Sequence, residues 1–376
     1  MVSTADEGGL VRGISMRKSI KRLASLAAGA VLAVGALSAC ATDGGSDGGD
    51  DSASGDGAAI ALLLPESKTT RYEAFDRPLF EAKVAELGDY DIVYSNADQD
   101  AAKQQQQAES ALAQGIAVMV LDPVDAEAAV SIVNAASAQG VPVVSYDRLI
   151  AGGDLAYYIS FDNEKVGELQ GTALVEKLEA DGNGSGDILM VNGSPTDGNA
   201  TLFKAGAHSV IDGSDLNVVA EFDTPDWSPD QAQEWVAGQL TQFGDDLVAV
   251  YAANDGTAGG AIAAMRAANI DPLPVVTGQD AEITAIQRIV AGDQYMTIYK
   301  AIKAEAELAA EIAVALANGE EVTGDVDVDG TPSTLLEPVV VTVDNIMDTV
   351  VADGFYTVEE ICTAEYADAC AAAGIQ

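Results

Sequence analysis

The chain has 376 residues, with 18 Lys and Arg against 60 Asp and Glu, a formal charge of −42. Phosphate backbones repel such an excess of acid, and no basic stripe or zinc-finger spacing offsets it, which disfavours nucleic acids and other polyanions as partners. Apolar residues make up 48% and aromatic residues 5%, which suits Ala/Val/Leu packing of helices on a sheet, and the length suits two domains.

Met16-Arg17-Lys18-Ser19-Ile20-Lys21-Arg22 is cationic and precedes a small-residue apolar run, Leu23 to Ala39, that closes on Leu37-Ser38-Ala39-Cys40. This pattern predicts a signal peptide over residues 1–39. Asp6 and Glu7 are foreign to such a leader, so Met16 is a second candidate start. Leu37 to Cys40 reads as a lipobox, and Cys40 resembles the lipid-modified first residue of a bacterial lipoprotein, attached to the outer face of the cytoplasmic membrane through the lipid alone. Residues 40–57 are Asp, Gly and Ser-rich with too little apolar surface to offset ordering entropy, and read as a flexible acidic tether. The Asp spacing from Asp43 to Asp56 does not match a calcium loop. Without the leader, which carries Arg12, Arg17, Lys18, Lys21, Arg22, Asp6 and Glu7, 13 basic residues face 58 acidic ones, a charge of −45.

The body alternates two periodicities. Strands are predicted at Ile60–Leu64, Asp91–Tyr94, Ala117–Leu121, Val141–Ser145 and Ala156–Phe161, with helices at Tyr72–Leu87, Ala101–Gln114 and Ala126–Ala138 between them. The second half repeats the pattern: strands at Asp187–Val191, Asn217–Phe222, Leu247–Tyr251, Pro274–Thr277 and Tyr295–Ile298, helices at Ala200–Ile211, Pro229–Phe243, Gly256–Ala268 and Ile283–Ala291. A βαβ series of this kind gives parallel sheets covered by helices, hence an α/β fold of two doubly wound lobes. Ligands in such sheets bind beyond the carboxyl ends of the strands. The polar clusters Pro65 to Arg71, Asp147-Arg148, Gly193 to Asn199, Asn254-Asp255 and Gln279-Asp280 fall there.

No phosphate loop is present, Gly182 to Gly186 precedes a strand and is a turn, and no cofactor or metal is expected. His208, the only histidine, sits in a predicted helix away from any strand end, which removes a Ser-His-Asp triad. Asp147, Asp255 and Asp280 could converge as glycosidase carboxylates. Each has a guanidinium, amide or ammonium candidate nearby, however, which favours hydrogen-bond acceptance over acid catalysis and a non-enzymatic role. Planar Asp, Asn and Arg groups with an aromatic face suit the mixed donors and acceptors of a neutral polyol. Arg71, Arg148 and Lys300 supply donors, Asp147, Asp255 and Asp280 acceptors, Asn199 both, and Tyr72 and Trp227 faces. Cys362 and Cys370, eight residues apart, read as a disulfide in an exported chain, since a zinc site would lack ligands.

Ser145-Tyr146-Asp147-Arg148-Leu149-Ile150 and Tyr158 through Gln170 resemble the periplasmic D-xylose-binding and multiple-monosaccharide-binding protein family. So do Gly193-Ser194-Pro195 through Asp197 and Asn199, Asn254 through Gly260, Thr277-Gly278-Gln279-Asp280-Ala281 and Met296-Thr297-Ile298-Tyr299-Lys300, in order, from about Ile60 to Phe355. The resemblance implies a type I solute-binding protein of an ABC sugar importer, a monomer that delivers D-xylose or a related aldose (glucose, galactose or arabinose) to a permease and its ATPase subunits. A sugar sensor that presents its ligand to a receptor is the alternative. It implies lobes of residues 58–161 with 299–335 and 162–298 with 336–376, joined by a three-segment hinge near Asp162, Ile298 and Leu336 that closes on the ligand. The positions matching the family's sugar contacts are Arg71, Tyr72, Asp147, Arg148, Asn199, Trp227, Asp255, Asp280 and Lys300. Tyr72 stands where the relatives carry Trp, and Gly198 replaces the first Asn of an Asn-Asn pair. A cytosolic sugar-responsive repressor shares this fold but would need a DNA-reading headpiece.

Overall fold

Short apolar runs bounded by turn formers become strands here, the central ones buried on both faces as helix-covered parallel sheets require. The computed structural model describes residues 57–244 and 246–376; the predicted signal peptide, Cys40 and the tether as far as residue 56 lie outside the described residues. β1 (Ala59–Leu64), β2 (Asp91–Asn96), β3 (Val118–Leu121), β4 (Val143–Tyr146) and β5 (Tyr157–Phe161) alternate with α1 (Arg77–Leu87), α2 (Ala101–Ala113) and α3 (Val130–Ser137). α4 (Asn163–Ala180) leads into β6 (Ser185–Asn192), α5 (Gly198–Ile211), β7 (Asp215–Asp223), α6 (Pro229–Phe243) and β8 (Leu247–Ala252). α7 (Asp255–Ala267), β9 (Val275–Val276), α8 (Ile283–Ala291) and β10 (Met296–Tyr299) complete that series. The chain then runs through α9 (Ile302–Ala317), β11 (Val326–Val328), β12 (Thr331–Leu336), β13 (Val339–Thr342), α10 (Val358–Ile361) and α11 (Ala367–Ala373).

The first sheet has the order β11-β12-β5-β4-β3-β1-β2, parallel except at its β11–β12 edge. Its late strand β12 pairs with β5 in the register Leu336↔Phe161. The second sheet is β7-β6-β8-β9, all parallel. β10 continues it, since Tyr295 N donates to Val276 O and Ile298 N to Gly278 O, and antiparallel β13 lies beyond. The chain therefore passes between the two sheets after β5, after β10 and after β12.

α1 and α9 cover one face of the first sheet with Phe80, Ala306 and Ala310 against Ile60, Leu62 and Val120. α2 and α3 cover the other with Leu112 and Ile132 against Leu63 and Met119. In the second lobe α4 and α5 lie on one face and α6 and α7 on the other. Each Leu, Ile or Val buried in these layers contributes about 1.5–3 kcal/mol of transfer free energy. α4 and α5 touch backbone to backbone, because a Cβ on Gly167 would sit 2.0 Å from Phe203 O and one on Gly206 2.0 Å from Glu164 O. The predicted first helix differs at its start: Tyr72–Asp76 is a π-helical turn, and α1 proper follows with Pro78 in its first turn. A proline lacks the N–H and crowds the carbonyl four residues back, which the wider turn accommodates. The C-terminal segment packs Phe355, Tyr356 and Ile361 against α8 and β10, with a Cys362–Cys370 disulfide.

Candidate ligand-binding site

Loops at the carboxyl ends of β1, β4, β6, β7, β8, β9 and β10 converge on one small cavity between the lobes. Thr69, Arg71, Tyr72, Asp147 and Arg148 line it from the first lobe. Asp197, Asn199, Phe203, Trp227, Asn254, Gln279 and Asp280 line it from the second, and Lys300 from the crossing after β10.

The first wall is a cross-linked ionic network. Arg71, only 2% exposed, donates through Nε and Nη2 to Asp76 at 3.0 and 2.6 Å and through Nη2 to Glu305 at 2.6 Å. Its Nη1 lies 3.4 Å from Asp147 Oδ1. Tyr72 OH donates to Asp147 Oδ2 at 2.9 Å and accepts from Arg148 Nη2 at 3.2 Å. Three buried carboxyls around one guanidinium cannot all stay ionised cheaply. Burial pushes Asp147 up, but Arg71, then Lys300 and Arg148, hold it below the usual carboxylate range. At Glu305 burial outweighs Arg71 and the carboxyl is pushed well up. The same happens at Asp122, behind Arg148.

The second wall presents amides and rings. Asp197 caps α5 by accepting from Asn199 N, and its Oδ2 accepts from Trp227 Nε1 at 3.0 Å. The Trp227 ring needs Gly193, where a Cβ would come within 2.1 Å of it. Lys300 Nζ lies 2.9 Å from Asp280 Oδ1 and over the rings of Phe161 and Phe203. Asp147, Trp227 and Asp280 hold φ of 54°, 52° and 91°. Left-handed backbone costs a non-glycine residue on the order of 1–3 kcal/mol, and three such positions on one cavity mark a site held in place by its surroundings.

The lobes are shut on each other. Arg148 Nε lies 3.0 Å from Asp197 Oδ2, Asn199 Nδ2 donates to Asp147 O at 2.9 Å, and Ala126 N donates to Thr196 O at 3.1 Å. Among the described residues, Asn199 Oδ1 and Gln279 Oε1 are buried without a hydrogen-bond partner, Arg71 Nη1 and Asp147 Oδ1 have only their 3.4 Å ion pair, and all four residues line the cavity. An unmet buried donor or acceptor costs about 1–3 kcal/mol, so these atoms favour a ligand with donors and acceptors of its own.

Arg71, Tyr72, Asp147, Arg148, Asn199, Trp227, Asp280 and Lys300 are thus brought together. Asp255, expected in the ligand set, lies behind the wall instead. Its Oδ1 accepts from Gln294 Nε2 at 2.8 Å and its Oδ2 from Glu282 N and Thr297 Oγ1, both at 2.9 Å. Asn254, the N-cap of α7, faces the cavity in its place. Thr69, Asp197, Phe203 and Gln279 were outside the predicted set. Phe203 follows Asn199 by one helical turn, a spacing that puts both on one face, and Gln279 adjoins Asp280 in the same strand-end loop. His208 lies in α5, away from the cavity, paired with Asp212 and Glu221.

Two doubly wound lobes closed over a polar cavity at their strand ends define a two-lobed small-molecule binding protein. The chain belongs to the periplasmic binding protein family, whose "periplasmic binding protein domain" matches residues 60–321. It is 38% identical over 310 residues to the D-xylose-binding periplasmic protein of Escherichia coli (strain K12), covering 80% of this chain and 92% of that protein. The multiple sugar-binding periplasmic receptor ChvE of Rhizobium radiobacter is 31% identical over 326 residues, 80% of this chain and 92% of its own. Among solved structures, an ABC transporter solute binding protein from Clostridium phytofermentans with bound β-D-glucose superposes with a TM-score of 0.74 at 28% identity. The match covers 81% of this chain and 99% of that one.

Proposed function

We propose that this chain is the extracytoplasmic sugar-capturing component of an ABC importer, taking D-xylose or a related aldose between its lobes and presenting the closed form to a permease and its ATPase subunits. One observation carries the reading: the buried amide oxygens of Asn199 and Gln279 have no hydrogen-bond partner, and both residues line a cavity beside Arg71, Asp147 and Lys300 with Tyr72, Phe203 and Trp227 as its rings. A pyranose offers hydroxyls that donate and accept, with C–H faces for the rings. Arg71, Asp147, Arg148, Asn199, Gln279, Asp280 and Lys300 bond the hydroxyls, and Asp255 sets the position of the loop that carries Asp280. Residues 58–161 with 299–335 and 162–298 with 336–376 act as the two bodies of a hinged trap, turning at the three crossings. The matches to D-xylose-binding relatives support the ligand class. The lipobox at Cys40 supports attachment through a lipid; among the described residues no helix is long and apolar enough to cross a membrane.

The test is calorimetric titration of the purified chain with xylose, glucose, galactose, arabinose and ribose. Micromolar or tighter binding of xylose alone assigns a dedicated xylose carrier, and comparable binding of several aldoses assigns a broad monosaccharide carrier. No heat with any of them overturns the sugar reading. Uptake assays after deletion of neighbouring permease genes separate import from sensing, the role suggested by the receptor among the relatives.

A further inference from the structure

The loop that carries Thr69 and Arg71 into the cavity is held at consecutive backbone amides by two glutamates, one from each lobe. Glu66, in the first lobe, accepts from Lys68 N and Thr69 N. Glu282, in the second lobe as the N-cap residue of α8, accepts from Thr70 N at 3.2 Å across the cleft. Glu282 is buried, 7% exposed, and is not among the residues lining the cavity. Its own amide donates to Asp255 Oδ2, which fixes where its side chain starts. One turn further along, Phe75 of the first lobe stacks on Phe355 with ring centroids 4.0 Å apart and meets Tyr356 edge-on at 5.6 Å. Phe355 and Tyr356 in turn pack with α8 and β10 of the second lobe. Two contacts of different chemistry thus join the lobes beside the cavity, through residues that do not line it.

We infer that Glu282, through its hydrogen bond to the Thr70 amide beside the Phe75–Phe355 stack, is a positioning residue for ligand capture: it holds the closed lobes together without touching the ligand and so sets the rate of release. The inference rests on the reading of the chain as a sugar trap. A contact made only in the closed state raises the closed population, and ligand affinity rises in proportion. The contact forms after encounter, so its effect falls on release rather than on association.

The experiment is stopped-flow release of D-xylose, with the radius of gyration of the ligand-free chain from X-ray scattering, for the unaltered protein, Glu282→Ala and Glu282→Gln. Gln keeps an acceptor oxygen for Thr70 N. Glu282→Ala is expected to release xylose roughly three- to tenfold faster at an unchanged association rate and to enlarge the ligand-free radius of gyration, while Glu282→Gln stays within about twofold of the unaltered protein. Equal release from Glu282→Ala and the unaltered chain, or equal loss in both variants, overturns the latch. Should Glu282→Ala not fold, Phe75→Ala takes its place with the same expected direction. If the unaltered chain binds no xylose, that failure belongs to the sugar reading, and the latch is judged on the radius of gyration alone, where identical values overturn it.

Discussion

The two walls of the cavity are built on different principles. On the first, the charged groups are tied down by side chains: Arg71 to Asp76 and Glu305, and Asp147 and Arg148 to the Tyr72 hydroxyl. On the second, the carboxylates Asp197 and Asp280 are taken up by Arg148 and Lys300, and Asn199, Asn254 and Gln279 add neutral amides, with Asn199 Oδ1 and Gln279 Oε1 left unbonded. A wall of ion pairs is costly to bury and rigid once buried, whereas amides can gain bonds without disturbing a charge balance. The first wall therefore acts as a preformed template, and the second as the part that closes over what the template has aligned.

Arg71→Ala strikes the template directly. It strips Asp76 and Glu305 of their shared cation and should cost on the order of 3–5 kcal/mol of stability, read by denaturant unfolding, together with sugar binding; a loss of binding without a loss of stability would show that the first wall is no more structural than the second. The pH dependence sharpens the comparison from the side of the cleft. Burial raises the Glu282 carboxyl from 4.5 to about 7. Below about 4.5 it is protonated in folded and unfolded chains alike. Between there and about 7 only the unfolded chain ionises, so stability falls as pH rises, by on the order of 3 kcal/mol, and then levels off. Glu282→Gln should flatten that fall relative to the unaltered chain when unfolding is measured at pH 5 and pH 8. Arg148→Ala, which removes a group shared by both walls, should weaken xylose binding at least roughly tenfold by calorimetry while the chain stays folded. Gln279→Ala carries the smallest effect, about three- to tenfold in affinity with an unchanged unfolding midpoint. A shifted midpoint would mean that the second wall too is load shared with the fold.

Much of this arrangement is legible in sequence because strand-end loops follow a rule: Asp147-Arg148, Asn199, Asp280 and Lys300 all sit just past an apolar run. Asp255 illustrates the limit of that rule. It lies one residue beyond the N-cap, where the helix has already turned its side chain back towards β10, and such a one-residue shift is invisible to a pattern of strand then helix. Glu305 and Asp76 were missed for another reason, since their meaning comes from Arg71, and Glu305 lies 234 positions away from it. α4 is hard to read in sequence because Gly167, Gln170 and Gly171 interrupt the stripe of Val166, Leu174 and Leu178 on its buried face. α9 is so rich in alanine that its two faces differ little in polarity. β11 and β12 lie beyond the alternating series, and nothing local shows that β12 joins β5.

That last pairing has a consequence for how the molecule is made. A nascent chain that has reached Phe161 holds five strands of the first sheet, but β5 still exposes a hydrogen-bonding edge, and α9 is missing from the face of Ile60 and Leu62. Both gaps are filled only after the whole second series through β10 has been synthesised. The lobe begun first is thus finished near the end of translation, so a truncation that removes residues from Thr331 onward would damage the N-terminal lobe along with the C-terminal one.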